Sequence, residues 1–343
     1  MRFTFAAWLL TRLLIVAVFA IASPHPIDSM NNWDGAWYGS IAWHGYGYAH
    51  LGAQRDVAFF PLFPFSIGAI ARTGVPWQLA AVVLNNAAFL GALLLMWNVA
   101  RARWDGATAR WCVAFACACP MTLFASVGYP EACYLLASAL ALFFALRHRG
   151  LPAALWGAAA TATSAIGLAL ACALIGDALV RRRWRRAGVA LLSLTGIGAF
   201  VLLCWRQFGD PLAFVHAQHA WRSAFGFDAP AWANVLRSLT TRDGSTLNVM
   251  TIVLVPFGAV AVFVQRRALG PVMTAYAVIA LALILFSGEP ISAARKAYSV
   301  LPVLLALGRA LARTPRLGVP ALGLCLVLLV QDADAFAHFR WVG

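Results

Sequence analysis

Residues 77–100 read WQLAAVVLNNAAFLGALLLMWNVA, an almost continuous apolar stretch that ends at Arg101 and Arg103. A helix of about 20 apolar residues crosses the hydrocarbon core of a bilayer. Comparable stretches recur along the 343 residues, of which 62% are hydrophobic and only 11% are charged. Soluble domains average about 25% charged residues. The sequence therefore predicts an all-α polytopic membrane protein, and it excludes a soluble enzyme, a disordered chain and a disulfide-stapled secreted module.

The apolar stretches predict about 11 transmembrane helices within a single integral membrane domain, residues 1–343. Full spans are predicted at about 5–22, 77–100, 108–127, 132–146, 187–205, 247–264, 271–287, 297–311 and 319–331. Residues 151–180 differ, because arginines flank them at both ends and they are too few for two full crossings. We predict a pair of short helices there, with a break near residues 163–165 that lies in protein or at a wet cavity. The alternative is one tilted span.

Two long polar and aromatic segments, residues 23–76 and 206–246, connect these spans. Arginine clusters such as that at 181–186 collect on one side of the predicted spans, and the positive-inside rule places that side and the N-terminus in the cytoplasm. Both long segments then become outer loops. Most of the 12 acidic residues, Asp243 and Glu289 among them, also fall on the outer side. We therefore expect the titratable chemistry on the outer face.

The charge and cysteine patterns indicate which binding partners and which cellular compartment to expect for this protein. The net charge of +14 comes from arginines in short clusters between apolar runs, which is typical of membrane topology and not of nucleic-acid binding. The seven cysteines form no C-x-x-C pair, so neither a metal site nor a disulfide framework is predicted. Rich Ala and Arg usage, with Lys296 as the only lysine, indicates a bacterial genome. We expect the bacterial inner membrane, with a periplasmic outer face.

The most informative segment is residues 31–48, which read NNWDGAWYGSIAWHGYGY. Trp33, Trp37 and Ile41 recur at i, i+4 and i+8, which suits a helix lying in the membrane interface. Asp34 lies among these aromatic residues. An acid at the rim of an apolar bundle has a tunable pKa and is a candidate general base. The alternative is an aromatic belt with a solvated aspartate.

These residues resemble the PIG-V type mannosyltransferases of the GT-C superfamily. The matching residues in the first loop are Trp33-Asp34, Tyr38, Ile41-Ala42, Gly45-Tyr46 and Phe59-Phe60-Pro61-Leu62-Phe63-Pro64. Weaker matches follow in chain order: Tyr129-Pro130-Glu131, Gly209-Asp210-Pro211-Leu212-Ala213-Phe214, Gln218, Trp221-Arg222, Arg295, Tyr298 and Pro302. One departure lies at the predicted helix break, where Ser164 stands in place of an expected arginine between Thr163 and Gly167.

The resemblance implies a GT-C-like bundle whose outer loops carry interfacial helices, with a catalytic first loop. It implies an inverting membrane glycosyltransferase that moves mannose or another hexose from a polyprenyl-phosphate-linked donor to a hydroxyl of a lipid or glycan acceptor. Asp34 is then the general base, and Arg295 is expected on the donor phosphate. The remaining substrate-binding residues would be Trp33, Tyr38, Glu131, Asp210, Lys296 and Tyr298. No cofactor and no metal is expected, and membrane lipids are the surrounding partners.

Two other functions stay open at the level of sequence. A transporter or lipid flippase also uses broken helices, although the chain shows no repeated halves and Arg12 is almost the only charge in mid-span. A non-catalytic subunit of a membrane transferase is the other alternative. Asp34 in its aromatic setting favours an active enzyme over a subunit.

Overall fold

The computed structural model describes residues 1–47, 50–51, 54–220, 226–238, 246–288 and 290–342. Trp221, Arg222, Asp243 and Glu289, which carried parts of the sequence predictions, lie outside the described residues, as does part of the predicted second loop. Helices make up 82% of the structure. The α-helices are α1 Arg2–Ala22, α2 Pro26–Ser29, α3 Asp34–His44, α4 Leu62–Ala71, α5 Trp77–Arg103, α6 Gly106–Ala118, α7 Glu131–Leu146, α8 Gly150–Thr163, α9 Gly167–Val180, α10 Trp184–Ala190, α11 Thr195–Phe208, α12 Ala213–Ala217, α13 Ala229–Ser238, α14 Thr246–Leu254, α15 Pro256–Val264, α16 Arg266–Leu269, α17 Pro271–Leu285, α18 Ala293–Tyr298, α19 Leu301–Arg313 and α20 Pro315–Ala337.

Within the described residues, five helical stretches are long and apolar enough to cross a membrane: 2–22, 77–103, 184–208, 246–264 and 315–337. A sixth crossing results if α18 and α19, which are bent by 74°, form one span. Shorter apolar helices, among them α7, α9 and α17, fill the rest of the bundle. The chain is therefore an all-α, multi-pass membrane protein, whereas the count of 11 spans is not confirmed.

The short helix pair predicted between residues 151 and 180 is present. Helix α8 ends at Thr163 and α9 begins at Gly167, so the break covers the predicted position. The two helices fold back closely, because a Cβ on Gly167 would lie 2.6 Å from the backbone of Ala160. Each helix has 14 residues, which is too short for a full crossing.

Two predicted spans and the predicted tail differ from the structure. The span predicted at 108–127 stops at Ala118, and a 3₁₀ segment at Pro120–Ala125 follows. The span predicted at 297–311 breaks between Tyr298 and Leu301, near Pro302. Proline lacks the N–H that continues a helix, and its ring clashes with the preceding turn. Helix α20 continues to Ala337, so the aspartates at 332 and 334 lie in a helix and not in a tail.

Buried polar side chains hold the turn between α6 and α7 in place. The Asn85 amide donates to the Phe124 and Val127 carbonyls at 2.8 Å each, and its oxygen accepts from the Ala132 N–H at 3.1 Å. Arg12 donates to the Thr122 hydroxyl at 2.8 Å. Backbone groups buried away from water need such partners. These contacts fix the start of α7 relative to α5 and α1.

The first long connecting segment, between α1 and α5, packs against the bundle through α3 and α4. The two helices approach closely, because a Cβ on Gly68 would lie 2.6 Å from the Ala42 carbonyl oxygen. Two short strands, β1 (His50–Leu51) and β2 (Gln54–Arg55), pair antiparallel between these helices. Strands β3 (Gly226–Phe227) and β4 (Ser287–Gly288) pair in parallel. The second pair connects the later long segment, which follows α11, to the end of α17.

Candidate active site

Two carboxylates predicted from sequence stand at helix N-termini that face one cavity. Asp34 is the first residue of α3, and Glu131 is the first residue of α7. A helix N-terminus carries partial positive charge and unpaired N–H groups, both of which stabilise a carboxylate. The backbone N–H of Asp34 donates to the Tyr129 hydroxyl at 3.1 Å, which ties the start of α3 to the turn before α7.

Arg295 on α18 joins the two carboxylates into one ion cluster. Its Nη1 donates to Asp34 Oδ2 at 2.7 Å, and its Nε lies 3.1 Å from Glu131 Oε1. The exposed side-chain fractions are 10% for Arg295, 17% for Asp34 and 10% for Glu131. Because the cluster is largely shielded from water, its charges interact more strongly than surface charges do. The predicted arginine therefore lies between two acids.

The cluster is not fully hydrogen-bonded. The Nε–H of Arg295 does not point along a hydrogen-bond direction, and neither Nε nor Glu131 Oε2 has a hydrogen-bond partner in the described part of the chain. Nη2 of Arg295 reaches only the Ser292 hydroxyl, at 3.4 Å. Buried polar groups are normally paired, and unpaired ones concentrate at functional sites. Glu131, which lines the cavity, therefore keeps one carboxylate oxygen without a hydrogen-bond donor in the described part of the chain.

Aromatic rings surround the guanidinium group. The Cζ atom of Arg295 lies 5.1 Å from the ring centroid of Tyr129, 5.3 Å from that of Phe124 and 5.7 Å from that of Trp341. Such distances allow cation–π attraction. Trp341, which follows α20, was not a candidate from sequence, because nothing local links it to a residue on α18.

Two tyrosines lie beside the carboxylates. Burial, reinforced by the nearby Asp34 charge, raises the pKa of Tyr38 well above its ordinary value, and the same causes raise the pKa of Tyr129. Both phenols therefore stay neutral at physiological pH. The Tyr129 hydroxyl donates to the Asn32 carbonyl at 3.3 Å, so it helps to hold the chain just before Asp34.

The three charged side chains of the cluster line a cavity of about 1460 Å³. Of the predicted site residues, Trp33, Asp34, Tyr38, Glu131, Arg295 and Lys296 line it. Apolar side chains from the short helix pair and from α11 and α17, such as Leu168, Ile197 and Leu283, line another part of the wall. Ser164, at the break where an arginine was expected, also lines the cavity. One cavity thus combines charged groups with an extended apolar wall.

Two predicted site residues do not line this cavity. Asp210 is exposed, accepts from the Leu212 N–H at 2.9 Å and lies 2.7 Å from the His216 ring, which lowers the pKa of this carboxyl. Tyr298 is buried on α18, and its hydroxyl donates to the Ala116 carbonyl. Asp210 therefore has a turn geometry typical of Asp, and Tyr298 packs α18 against α6.

Nothing in the sequence pointed to Phe339 and Trp341, yet both line the cavity. In the described ranges, no group of three His, Cys, Asp or Glu side chains is arranged to hold a metal ion.

Comparison with known proteins shows similarity in structure only. No family model and no curated protein sequence matches this chain. ArnT from Cupriavidus metallidurans bound to undecaprenyl phosphate superposes with a TM-score of 0.58 at 14% identity, covering 98% of this chain and 74% of ArnT. The apo state of ArnT gives 0.55 at 14% identity, covering 97% and 74%. The apo oligosaccharyltransferase of Archaeoglobus fulgidus gives 0.48 at 13% identity, covering 99% of this chain and 56% of that one.

These ArnT structures belong to the GT-C glycosyltransferases. At such low identity the likeness concerns the fold, and it does not confirm the PIG-V type family specifically. The chain therefore has the fold of the GT-C membrane glycosyltransferases.

Proposed function

We propose that this protein is a membrane glycosyltransferase that moves a sugar, mannose or another hexose, from a polyprenyl-phosphate-linked donor to an acceptor hydroxyl. The observation that carries the proposal is the ion cluster of Asp34, Glu131 and Arg295 in a cavity that is lined mainly by apolar side chains. A lipid-linked sugar has matching chemistry, with a polar reacting centre and an apolar chain. The ArnT neighbour, which is bound to undecaprenyl phosphate, supports the donor class.

In this proposal Asp34 removes the proton from the acceptor hydroxyl. The hydroxyl oxygen attacks the anomeric carbon as the bond from that carbon to the phosphate oxygen breaks, and polyprenyl phosphate leaves with the electron pair. Attack opposite the leaving group inverts the anomeric centre. A positioned general base contributes roughly 10²–10⁴-fold in rate. The ion pair at 2.7 Å fixes the orientation of the Asp34 carboxylate relative to α18.

The leaving phosphate needs positive charge that the cluster does not itself provide. Arg295 carries one positive charge, and Asp34 and Glu131 together carry two negative charges when ionised. We therefore assign Arg295 to holding the two acids, in place of the direct phosphate contact expected from sequence. Lys296 also lines the cavity, on the same helix, and we assign it to the phosphate.

Glu131, Trp33 and Tyr38 complete the proposed substrate site. Glu131 Oε2 has no hydrogen-bond partner among the described residues, so it is placed to accept from a sugar hydroxyl. Trp33 and Tyr38 line the same cavity. No metal and no other cofactor is part of the proposal.

We further propose that the protein lies in the bacterial inner membrane with its active site on the periplasmic side. Arginines collect at one end of the spanning helices, as at the end of α5 and between α9 and α10. The positive-inside rule places such ends in the cytoplasm. Asp34 lies in the segment between α1 and α5, so it is at the opposite end of α5 from Arg101 and Arg103.

The test is transfer from undecaprenyl-phosphate [¹⁴C]mannose in vesicles that contain the purified protein and a bacterial membrane extract as the source of acceptor. We expect a labelled product with the wild type and a loss of roughly 10²–10⁴-fold with Asp34→Asn. Asp28→Asn is the matched control, because Asp28 is exposed in the same outer segment and does not line the cavity. Equal activity of Asp34→Asn and wild type would refute the assigned base. Movement of donor across the bilayer without a new covalent product would favour a transporter.

A further inference from the structure

The segment that follows α20, residues 338–342, lies against the ion cluster and contributes two rings to the cavity wall. Phe339 stacks on Trp33, with ring centroids 4.5 Å apart and planes 22° apart. Trp341 meets Trp33 edge to face at 5.4 Å. Trp33 directly precedes Asp34, and Trp341 lies beside Arg295. This segment therefore contacts Arg295 directly, and it contacts Trp33, the residue next to Asp34 in the chain.

The backbone on both sides of the stack is in an uncommon conformation. Trp33 and Phe339 each have a φ of 59°, a region that residues with a Cβ rarely adopt. At Phe339 this φ belongs to the left-handed turn that ends α20, in which the Arg340 N–H donates to the Ala335 carbonyl at 2.8 Å.

The base of the segment is firmly attached to the site. Asn32 donates from its amide to the Phe336 carbonyl at 2.9 Å, and Phe336 packs edge to face on Tyr129 at 5.9 Å. The indole N–H groups of Trp33 and Trp341 are buried, and neither has an acceptor in the part of the chain that the structure describes. Both rings line the cavity.

We propose that residues 338–342 form a wall of the site in which Trp341 is a positioning residue. Its ring covers the guanidinium group of Arg295 and keeps it between Asp34 and Glu131, while the Trp33–Phe339 stack holds the segment in place. The assignment to catalysis rests on the proposed function, whereas the covering of Arg295 does not. Through Arg295, Trp341 governs the orientation of the Asp34 carboxylate.

The experiment measures how fast phenylglyoxal, an arginine reagent, modifies Arg295 in the purified full chain, with the site identified by mass spectrometry. In Trp341→Ala we expect Arg295 to react about two- to thirtyfold faster, the range that corresponds to loss of one cation–π contact. Trp341→Phe keeps a ring and should restore the wild-type rate. Arg340→Ala is the control, because it removes only the exposed 3.1 Å pair with Asp334.

The transfer assay gives an independent second measurement. If Trp341 acts through Arg295, Trp341→Ala lowers kcat by a similar factor with a smaller change in KM, and Trp341→Phe restores kcat. Unchanged Arg295 reactivity and unchanged kcat in Trp341→Ala would overturn the proposal, as would failure of Trp341→Phe to restore them. If neither the wild type nor any variant shows transfer, the proposed function fails. The labelling result would still test whether Trp341 covers Arg295. Should Trp341→Ala not fold, Phe339→Ala tests the same segment from the side of the stack.

Discussion

Replacing Arg295 with glutamine is expected to destabilise the fold by about 3–5 kcal/mol. The change removes the partner that lies 2.7 Å from Asp34 and 3.1 Å from Glu131, and it leaves two largely buried carboxylates without a counter-charge. Removal of one member of a buried ion pair typically costs this amount, because the remaining charge stays desolvated. The exposed fractions of 10–17% place this cluster in the buried regime. The free energy of unfolding is measured by SDS titration in mixed micelles, followed by far-UV circular dichroism.

A second variant separates the effect of unpaired charge from the effect of lost packing contacts. The triple variant Arg295→Gln, Asp34→Asn, Glu131→Gln has no ionised group in the cluster, so we expect it to regain most of the stability lost in Arg295→Gln. Arg181→Gln is the matched control, because its pair with Asp177 at 2.8 Å is exposed to 47% and 27%. Exposed pairs contribute about 0–1 kcal/mol.

Two results would refute this reasoning. If Arg295→Gln costs no more than Arg181→Gln, the cluster is not desolvated as the structure indicates. If the triple variant is as unstable as the single variant, the loss comes from packing around the guanidinium group and not from unpaired charge.

Three further predictions follow from the described contacts. Asp210→Asn is expected to leave the transfer rate unchanged in the vesicle assay, because Asp210 does not line the cavity. Gly308→Ala is expected to cost about 1–3 kcal/mol, since the new Cβ would lie 2.5 Å from Cys112 Cα and force α6 and α19 apart. Arg12→Met is expected to cost about 1–3 kcal/mol, because the Thr122 hydroxyl and the Ala125 carbonyl lose a buried donor. Both losses are measured by the SDS titration.

Each of these predictions has a control and a contrary outcome. A strong loss of transfer in Asp210→Asn would show that Asp210 acts in substrate binding after all. Gly198→Ala should instead gain up to about 1 kcal/mol, because its Cβ would meet open space in a helix, and equal effects at both glycines would contradict the close packing of α6 and α19. Arg2→Met, at an exposed position, should have little effect on stability, so an equal loss there would remove any special role for Arg12.

Much of the membrane architecture could be predicted from sequence, because a spanning helix is a local property. Residues 77–100 lie inside α5, and the span predicted from residue 5 to 22 lies inside α1. The short helix pair was predicted from arginine flanks and length alone. Breaks near Pro120 and Pro302 were missed, since proline near a span end does not by itself say whether the helix bends or stops.

The candidate site was predicted only in part, for a different reason. Asp34, Glu131 and Arg295 were each singled out by residue type and local motif, and the structure brings them together. Tyr298 shares that motif with Arg295, yet its side chain is buried against α6, where its hydroxyl donates to the Ala116 carbonyl. No sequence motif around Trp341 indicated that this residue belongs to the site.

By itself, the sequence determined that this chain crosses a membrane repeatedly, which connecting segment carries the aromatic-flanked acid, and that charge and apolar surface are segregated. Hydrophobicity and short motifs are local, so they can be read from neighbouring residues. Only the tertiary structure decided that Arg295 pairs with an aspartate 261 residues away, that it is shared with Glu131, and that Trp341 covers it. These contacts join distant segments, and they exist only because helices pack in one arrangement among the many that the same apolar stretches allow.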